Sequence, residues 1–400
     1  MNVALVNQFY PPAAAPTGVL LADLAAELLG RGHVVTVVAS AGNYGAGGGA
    51  QTSEAGGAIV LRLGSANPHR SGLAAKMLDY LGFYRRASHA LAQLPERPDA
   101  VVCMTTPPFI GRVGARYRRR TGVPYLLWCM DLYPETLAAY GFLRDGNPLK
   151  PILRALAREE RRQAFCAISL GPDMGAILAA SGAARIEEVP VWSSLETGPA
   201  DPAAAQALRR KRGWAADEIV LLYSGNMGRA HRLGEFIALA ERLRDQTPRC
   251  RFVFAGRGPA RAEWEQRGLG LLEFIPPVSG PGFAAHLLAA DVHLVSQQPA
   301  WGGLVVPSKF QSACAVGRPV VFAGPPRSAV GLWIREADAG WIAPPEDGAA
   351  VARIAREIVD ARLRVAKGEN AARLFRRRFT RAANCGRVAD LIEEAAKERR

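Results

Sequence analysis

The stretch Ile219-Val220-Leu221-Leu222-Tyr223-Ser224-Gly225-Asn226-Met227-Gly228-Arg229-Ala230-His231-Arg232 decides the fold. Its apolar run lacks strict alternation, so it reads as a strand buried on both faces, the habit of parallel sheets. The run breaks at Gly225 into a Gly-x-x-Gly turn, behind which Arg229, His231 and Arg232 are expected to open a helix. Glycine lets backbone approach an anion closely and arginine supplies charge, which makes this turn a candidate phosphate seat. Many strand-to-helix turns use glycine for chain reversal alone, and only the flanking arginines raise this one above them.

The same alternation of short apolar runs and helical-period segments continues in both directions. Downstream, Arg251–Ala255, Leu271–Ile275, Val292–Ser296, Val320–Phe322 and Gly340–Ile342 read as strands, and helical segments run from Asp347 to Arg399. Upstream, the strand candidates are Val3–Asn7, Val34–Ala39, Ala58–Leu63, Ala100–Met104, Tyr125–Met130, Ala167–Ser169 and Ile186–Pro190. Helices are expected at Gly18–Leu29, Leu73–Leu91, Ile110–Arg120 and Ile152–Phe165. Between the halves, Ser193–Ala205 turns to Pro, Ala, Ser, Thr and Gly, as a linker does. The fold class is therefore α/β, with two Rossmann-like parallel-sheet domains facing a central cleft. The first takes in 1–195, joined by a C-terminal helix at 380–400, and the second 205–379. Open α/β sheets bind ligands outside their strand C-termini, so the cleft is where a ligand is expected.

Composition narrows the class. A chain of 400 residues exceeds one core and suits two. With 49% hydrophobic and 22% charged residues it is an ordinary globular protein, neither disordered nor fibrous. Fifty Lys+Arg against 36 Asp+Glu leave +14, which favours polyanionic partners: nucleic acid, an anionic membrane or a phosphorylated substrate. Cys103, Cys129, Cys166, Cys250, Cys314 and Cys385 are scattered without a C-x-x-C pair, and read as buried free thiols rather than a disulfide frame or zinc site. No basic and apolar leader precedes the first strand, and no apolar stretch of about 18 residues occurs. A cytoplasmic protein with at most peripheral membrane contact is expected. His69–Arg86 mixes Leu73, Met77, Leu78, Leu81, Phe83 and Tyr84 with Lys76, Arg85 and Arg86, a pattern that suits either a domain-covering helix or one lying on anionic lipid. Arg116–Arg120 and Arg376–Arg378 lack any nucleic-acid motif and read as solvated helix faces.

Two further turns follow strands in the second half. Ala255-Gly256-Arg257-Gly258-Pro259 reads as a tight turn with proline in the first helical turn. Gly302-Gly303-Leu304-Val305-Val306-Pro307-Ser308-Lys309-Phe310-Gln311-Ser312 leads into Pro307, suited to a first helical position because it has no N–H to leave unpaired. Free N–H groups there, together with Lys309, would stabilise a diphosphate.

Taken in order, these motifs resemble the retaining GT-B glycosyltransferases of family 4, especially those that build O-antigen, colanic-acid and capsule-type polysaccharides. The resemblance runs from Phe9-Tyr10-Pro11-Pro12 with Thr17-Gly18, through Gly32-His33-Val34, Thr106-Pro107-Pro108 and Trp128-Cys129-Met130-Asp131-Leu132-Tyr133-Pro134-Glu135, to Tyr223–Gly228, Val306–Lys309 and Ala315-Val316-Gly317-Arg318-Pro319-Val320. It implies a transferase moving a hexosyl or N-acetylhexosaminyl group from a nucleotide-sugar, UDP-sugar favoured, to an acceptor such as a polyprenyl-diphosphate-linked saccharide. It implies no cofactor and no metal. Catalytic roles fall to Asp131, Arg232 and Lys309. Donor contacts fall to Gly18, Gly225, Asn226, Arg229, Gly256, Ile275, Gly303, Leu304, Val305, Val306 and Ser312, and acceptor contacts to Thr17 and Glu135. Arg232 takes the place of the family's diphosphate-binding lysine, and Arg229 compensates for Asn226, which stands where an arginine is common.

Two departures accompany the match. The family's Glu-x7-Glu positions hold Leu304 and Ser312 here, so ribose recognition would pass to Ser312 or Gln311, and Met130 replaces the histidine of a common His-Asp pair. The alternatives are a nucleotide-sugar epimerase of the same fold, which would need proton-transfer pairs that are scarce here, and a degenerate transferase acting as a partner subunit. A nicotinamide oxidoreductase would show G-x-G-x-x-G after its first strand, and none follows. His33 is expected to close the turn into the second strand.

Overall fold

Two parallel sheets carry the chain, seen in a computed structural model that describes residues 1–13, 15–41, 50–64, 73–193, 195 and 201–398. Contacts divide it into two units, Met1–Pro190 with Ala382–Arg400, and Val191–Arg381. Residues 194 and 196–200 of the Ser193–Ala205 linker lie outside the described residues, as do residues 69–72 at the start of the basic amphipathic stretch.

The first unit begins β1 (Asn2–Val6), α1 (Pro16–Gly30), β2 (Val34–Ser40), β3 (Ala50–Ala55), β4 (Ala58–Leu63) and α2 (Leu73–Ala92). It continues β5 (Ala100–Met104), α3 (Gly111–Thr121), β6 (Tyr125–Trp128), α4 (Glu135–Ala139), α5 (Leu149–Gln163), β7 (Cys166–Ser169), α6 (Pro172–Ala180) and β8 (Ile186–Glu188). The sheet order is β3-β4-β2-β1-β5-β6-β7-β8. All pairs are parallel except β3 with β4, an antiparallel hairpin through Gly56-Gly57 that the sequence reading missed. β3 reads AQTSEA, too polar to register as a buried strand, and it lies at a sheet edge. Because parallel crossovers are right-handed, α2, α3 and α5 cover the face opposite α1, and α3 packs against both its neighbours.

The second unit runs α7 (Pro202–Lys211), β9 (Ile219–Ser224), α8 (Gly234–Arg242), β10 (Cys250–Ala255), α9 (Arg261–Arg267), β11 (Leu272–Ile275) and α10 (Phe283–Leu288). It ends β12 (Val292–Ser296), α11 (Lys309–Ala315), β13 (Val320–Ala323), α12 (Ala329–Ala337), β14 (Gly340–Ala343), α13 (Gly348–Ile358) and α14 (Ala361–Arg378). Its order, β11-β10-β9-β12-β13-β14, is all parallel and reverses direction between β9 and β12. In open α/β sheets such a reversal is where ligands bind, outside the C-terminal ends of the strands. Beneath it lies an aromatic stack in which Tyr223, with no exposed surface, is 5.4 Å from Phe254 and edge-on to Trp264.

The final helix, α15 (Arg381–Glu398), packs on the first unit. Val388, Leu391 and Ile392 are fully buried there, each worth about 1.5–3 kcal/mol. Arg31 bonds Asp390 at 2.7 Å, His33 meets Glu393 at 3.0 Å, and Arg185 holds Glu394 at 2.8 Å. Half-exposed pairs of this kind add little, and the apolar seam does most of the anchoring.

Three helix starts differ from the sequence reading. After Gly225 the helix opens at Gly234, so Arg229, His231 and Arg232 sit in a loop. After Gly302 it opens at Lys309 with Ser308 as N-cap, so Pro307 precedes the helix rather than starting it. Pro259 likewise lies before α9, whose N-cap is Ala260. Before Gly234 the Ser296 and Gln298 side chains fasten the loop to the end of β12, and before Lys309 Gln297 holds the Trp301 and Val305 carbonyls. The six cysteines are all free, five of them buried.

Candidate functional site

At the β9/β12 reversal the loop after β9 is zipped to the end of β12. The Arg232 amide donates to Ser296 Oγ (3.2 Å), Gln298 donates its amide to the Ala230 carbonyl (2.7 Å), and Gln298 Nε2 donates to the His231 carbonyl (3.1 Å). His231 Nδ1 lies 2.8 Å from the Ser296 carbonyl. A carbonyl can only accept, so Nδ1 carries the proton and Nε2 is left as an acceptor. Lys309 Nζ stands 3.2 Å from that Nε2 and 5.1 Å above the Tyr223 ring. Burial, reinforced by the Lys309 charge, pushes His231 down to about 3, which keeps the ring neutral. Burial also lowers Lys309 to about 8.

Gly225 makes room for this lysine. Its φ of +136° suits glycine, and a Cβ there would stand 2.7 Å from Lys309 Cε. Arg232, bonded to Glu235 at 2.7 Å and 3.4 Å from Gln298 Oε1, completes the cluster. Glu235 holds the guanidinium above its usual range. Arg232 and Lys309 are thus brought to one cluster: His231 touches Lys309, and Gln298 bridges Arg232 to the His231 carbonyl.

The glycine turns serve a second purpose. A Cβ on Gly256 would collide with the Gly225 carbonyl, and one on Gly258 would lie 2.5 Å from the Met227 carbonyl. Met227 N–H donates to the Arg257 carbonyl at 2.9 Å, while Gly256 N–H donates to Ile275 at 3.3 Å. The turns after β9 and β10 are therefore pressed backbone to backbone, with Asn226 and Arg229 exposed on top. The buried Ile275 side chain lies at the end of the adjacent strand.

Gln297 organises the other lip. Buried after β12, its Nε2 donates to the carbonyls of Trp301 and Val305, each at 2.9 Å, and pins the loop before α11. The Leu304 amide is taken by the Trp301 carbonyl, and its side chain is buried. Of the four expected amides, Gly303, Val305 and Val306 make no hydrogen bond within the described residues, so three rather than four are free. Ser312 Oγ is 3.4 Å from Ser193 Oγ, and Gln311 is fully buried with both amide atoms unpartnered.

In the first unit, Thr105 Oγ1 at the end of β5 accepts from the Met130 and Asp131 amides at 2.8 and 3.1 Å, which fixes the backbone beyond β6. Asp131 makes no side-chain hydrogen bond within the described residues, and burial raises its carboxyl to about 6. Glu135 is held in place: Arg161 grips both its oxygens at 3.2 and 3.0 Å and also donates to the Tyr133 carbonyl. Next to Arg161 lies buried Glu160, which burial pushes up to about 8. Gly18 lies in the first turn of α1 beside Thr17, where a Cβ would come 3.3 Å from Phe9 and Tyr10 backbone. Among the described residues no three His, Cys, Asp or Glu side chains gather as a metal site would require.

His231, Ser296, Gln297, Thr105 and Arg161 escaped the sequence reading as site residues. Polar residues directly after an apolar strand, as in Ser296-Gln297-Gln298, are the signal that could have found three of them.

The chain matches two family models, "Glycosyl transferase 4-like domain" over residues 17–192 and "Glycosyl transferases group 1" over 218–361, which together take in most of its length. It is 26% identical over 338 residues to the putative colanic acid biosynthesis glycosyl transferase WcaI of Escherichia coli (strain K12), covering 79% of this chain and 82% of that one. In fold it is similar to sucrose-phosphate synthase from Thermosynechococcus elongatus (TM-score 0.78, 17% identity, 98% of each chain). It is also similar to Anabaena HepE, solved in complex with UDP-glucose (TM-score 0.70, 14% identity, 98% of this chain and 100% of that).

Proposed function

The chain belongs to the family 4 glycosyltransferases of the GT-B fold, and we propose that it is a retaining enzyme moving a sugar from a UDP-sugar to a lipid-linked saccharide during surface-polysaccharide synthesis. The observation that carries this reading is the Lys309–His231–Arg232 cluster at the strand reversal of the second unit. Its two cations are in reach of a pyrophosphate, and one is held by a neutral acceptor rather than a carboxylate. An arriving diphosphate then gives Lys309 its first anionic partner. The UDP-glucose complex of HepE and the colanic-acid assignment of WcaI support the donor and pathway classes.

The acceptor oxygen would attack the anomeric carbon from the face the diphosphate leaves. The new C–O bond forms as the old one breaks, and the acceptor proton passes to the departing phosphate oxygen. Lys309, Arg232 and the free amides of Gly303, Val305 and Val306 would stabilise the growing charge. α11 has seven residues and adds little dipole of its own. Asp131, an unpaired carboxylate, would accept a hydrogen bond from the acceptor hydroxyl, with Glu135 held in place by Arg161. Ser312 would meet the ribose, and no metal is needed in this scheme.

Thermal-shift titration across nucleoside diphosphates and their sugars tests the reading. UDP should raise Tm in the wild type, and Arg232→Ala and Lys309→Ala should each weaken that binding with the fold intact. Unchanged affinity in both variants removes the phosphate site from this cluster.

A further inference from the structure

Gln297 is the residue on which the loop before α11 closes. It follows β12 directly, is 1% exposed, and its own main-chain amide donates to the Ala323 carbonyl at the end of β13 (2.9 Å). The groups facing its side-chain amide, the Trp301 and Val305 carbonyls, can only accept, so the atom between them is the NH2 nitrogen. Its Oε1 has no partner among the described residues. One side chain thus fixes both ends of the segment Trp301–Val305.

That grip sets the direction of backbone amides. The peptide bond between Val305 and Val306 is trans and planar, so its N–H points opposite to its C=O. With the Val305 carbonyl turned onto Gln297, the Val306 N–H is turned away from that buried side. At the other end Trp301–Leu304 is a type II turn, closed by the Leu304 amide on the Trp301 carbonyl at 3.1 Å, with Gly302 at φ −56°, ψ 127° and Gly303 at φ +73°. Positive φ at this position suits glycine, and the central peptide of the turn leaves the Gly303 N–H without a bond. Gln297 donates to the same Trp301 carbonyl that closes the turn. Residues 302–307, Gly-Gly-Leu-Val-Val-Pro, carry no polar side chain, so backbone N–H groups are what this segment can offer an anion.

We infer that Gln297 is a positioning residue: it aims the Gly303 and Val306 amides at the terminal phosphate of the departing UDP without touching the nucleotide itself. The inference rests on the donor reading given above and adds the residue that prepares the loop before the donor arrives. Donors aligned in advance need no reorganisation at the moment charge develops on the leaving group. The side chain's chemistry suits this task. A neutral amide supplies two N–H groups from one nitrogen, enough for both carbonyls. Glutamate would set a carboxylate against them, and methionine would leave both unpaired.

Isothermal titration of the full chain with UDP and with UMP tests it, because UMP lacks the terminal phosphate that the two amides would meet. The wild type should bind UDP the more tightly. Gln297→Met should weaken UDP by roughly tenfold, the range of a hydrogen bond to a charged group, and leave UMP within about twofold. Gln297→Asn keeps the NH2 one methylene short and should fall between, again for UDP alone; should the methionine variant not fold, this one decides. Gly303→Ala, which forces a side chain to φ +73°, should narrow the preference for UDP with Gln297 still in place. His293→Leu removes another buried polar side chain of β12, one whose ring lies 3.1 Å from the Leu287 carbonyl, and should lower Tm while both affinities hold. Equal weakening of UDP and UMP by the Gln297 variants, weakening of neither, or a His293→Leu that loses UDP selectively would overturn the inference. Tight UDP binding by the wild type and by Gln297→Met alike sinks this inference alone, whereas a wild type that binds neither nucleotide sinks the donor reading and this with it.

Discussion

The two units share a sheet plan and differ in what they set at their strand ends. The second offers cations: Lys309 against a neutral imidazole, and Arg232 on the rim with Glu235. The first offers carboxyls: Asp131 without a partner, Glu135 clasped by Arg161, and Glu160 buried beside it. In both, burial drives the free group toward its uncharged form, lowering Lys309 and raising Asp131. A fold can therefore hold opposite chemistries by the same physical means, leaving one ionisable group short of a counter-charge that a substrate can supply.

The largest expected effect tests the cationic half. Lys309→Ala should lower kcat/KM by roughly 10²–10³-fold, the cost of removing one preorganised donor from a developing charge. In the wild type, UDP affinity should fall as pH rises through about 8, because deprotonation removes the ammonium that the anion selects. Isothermal titration of the variant should show no such fall, and a persisting one would move the titrating group elsewhere.

A smaller effect tests the carboxyl half. Asp131→Asn should cut kcat about ten- to a hundredfold, in the range of a lost charged hydrogen bond, while the UDP dissociation constant stays put. Wild-type kcat should drop as pH falls through about 6, where the carboxylate gains its proton, and that acid limb should vanish in the variant. An equal loss in nucleotide affinity would erase the division of labour between the units.

The smallest contrast is steric. Gly256→Ala forces a Cβ into the Gly225 carbonyl and should cost ~2 kcal/mol, or roughly 4–8 °C in Tm. Gly18→Ala meets backbone only at 3.3 Å and should cost less than half as much. Differential scanning calorimetry giving equal shifts would mean that the two glycines are equally tolerant.

Much of this was readable in the chain. Strands such as Ile219–Ser224 and Val292–Ser296 announce themselves as apolar runs because both faces are buried. β3 stayed hidden since one polar edge strand needs only its partner's backbone, which leaves no periodic mark. Lys309 stood out through its motif. His231 did not, because its importance lies in a tautomer fixed by Ser296, 65 residues away. The helix start at Gly234 escaped for the same reason, since Ser296 and Gln298, distant in sequence, hold the preceding loop. Glu135 was named through its motif, but its clasp by Arg161 appears only when the fold brings that arginine across to it.

The return of α15 to the first unit means that the second unit is, in chain order, an insertion. During translation the ribosome must finish some 190 residues of the inserted unit before Val388, Leu391 and Ile392 can emerge. Until then the nascent first unit leaves uncovered the seam those residues will fill, sticky to neighbours and to chaperones. α15 acts as a clasp that closes a unit made before the inserted one.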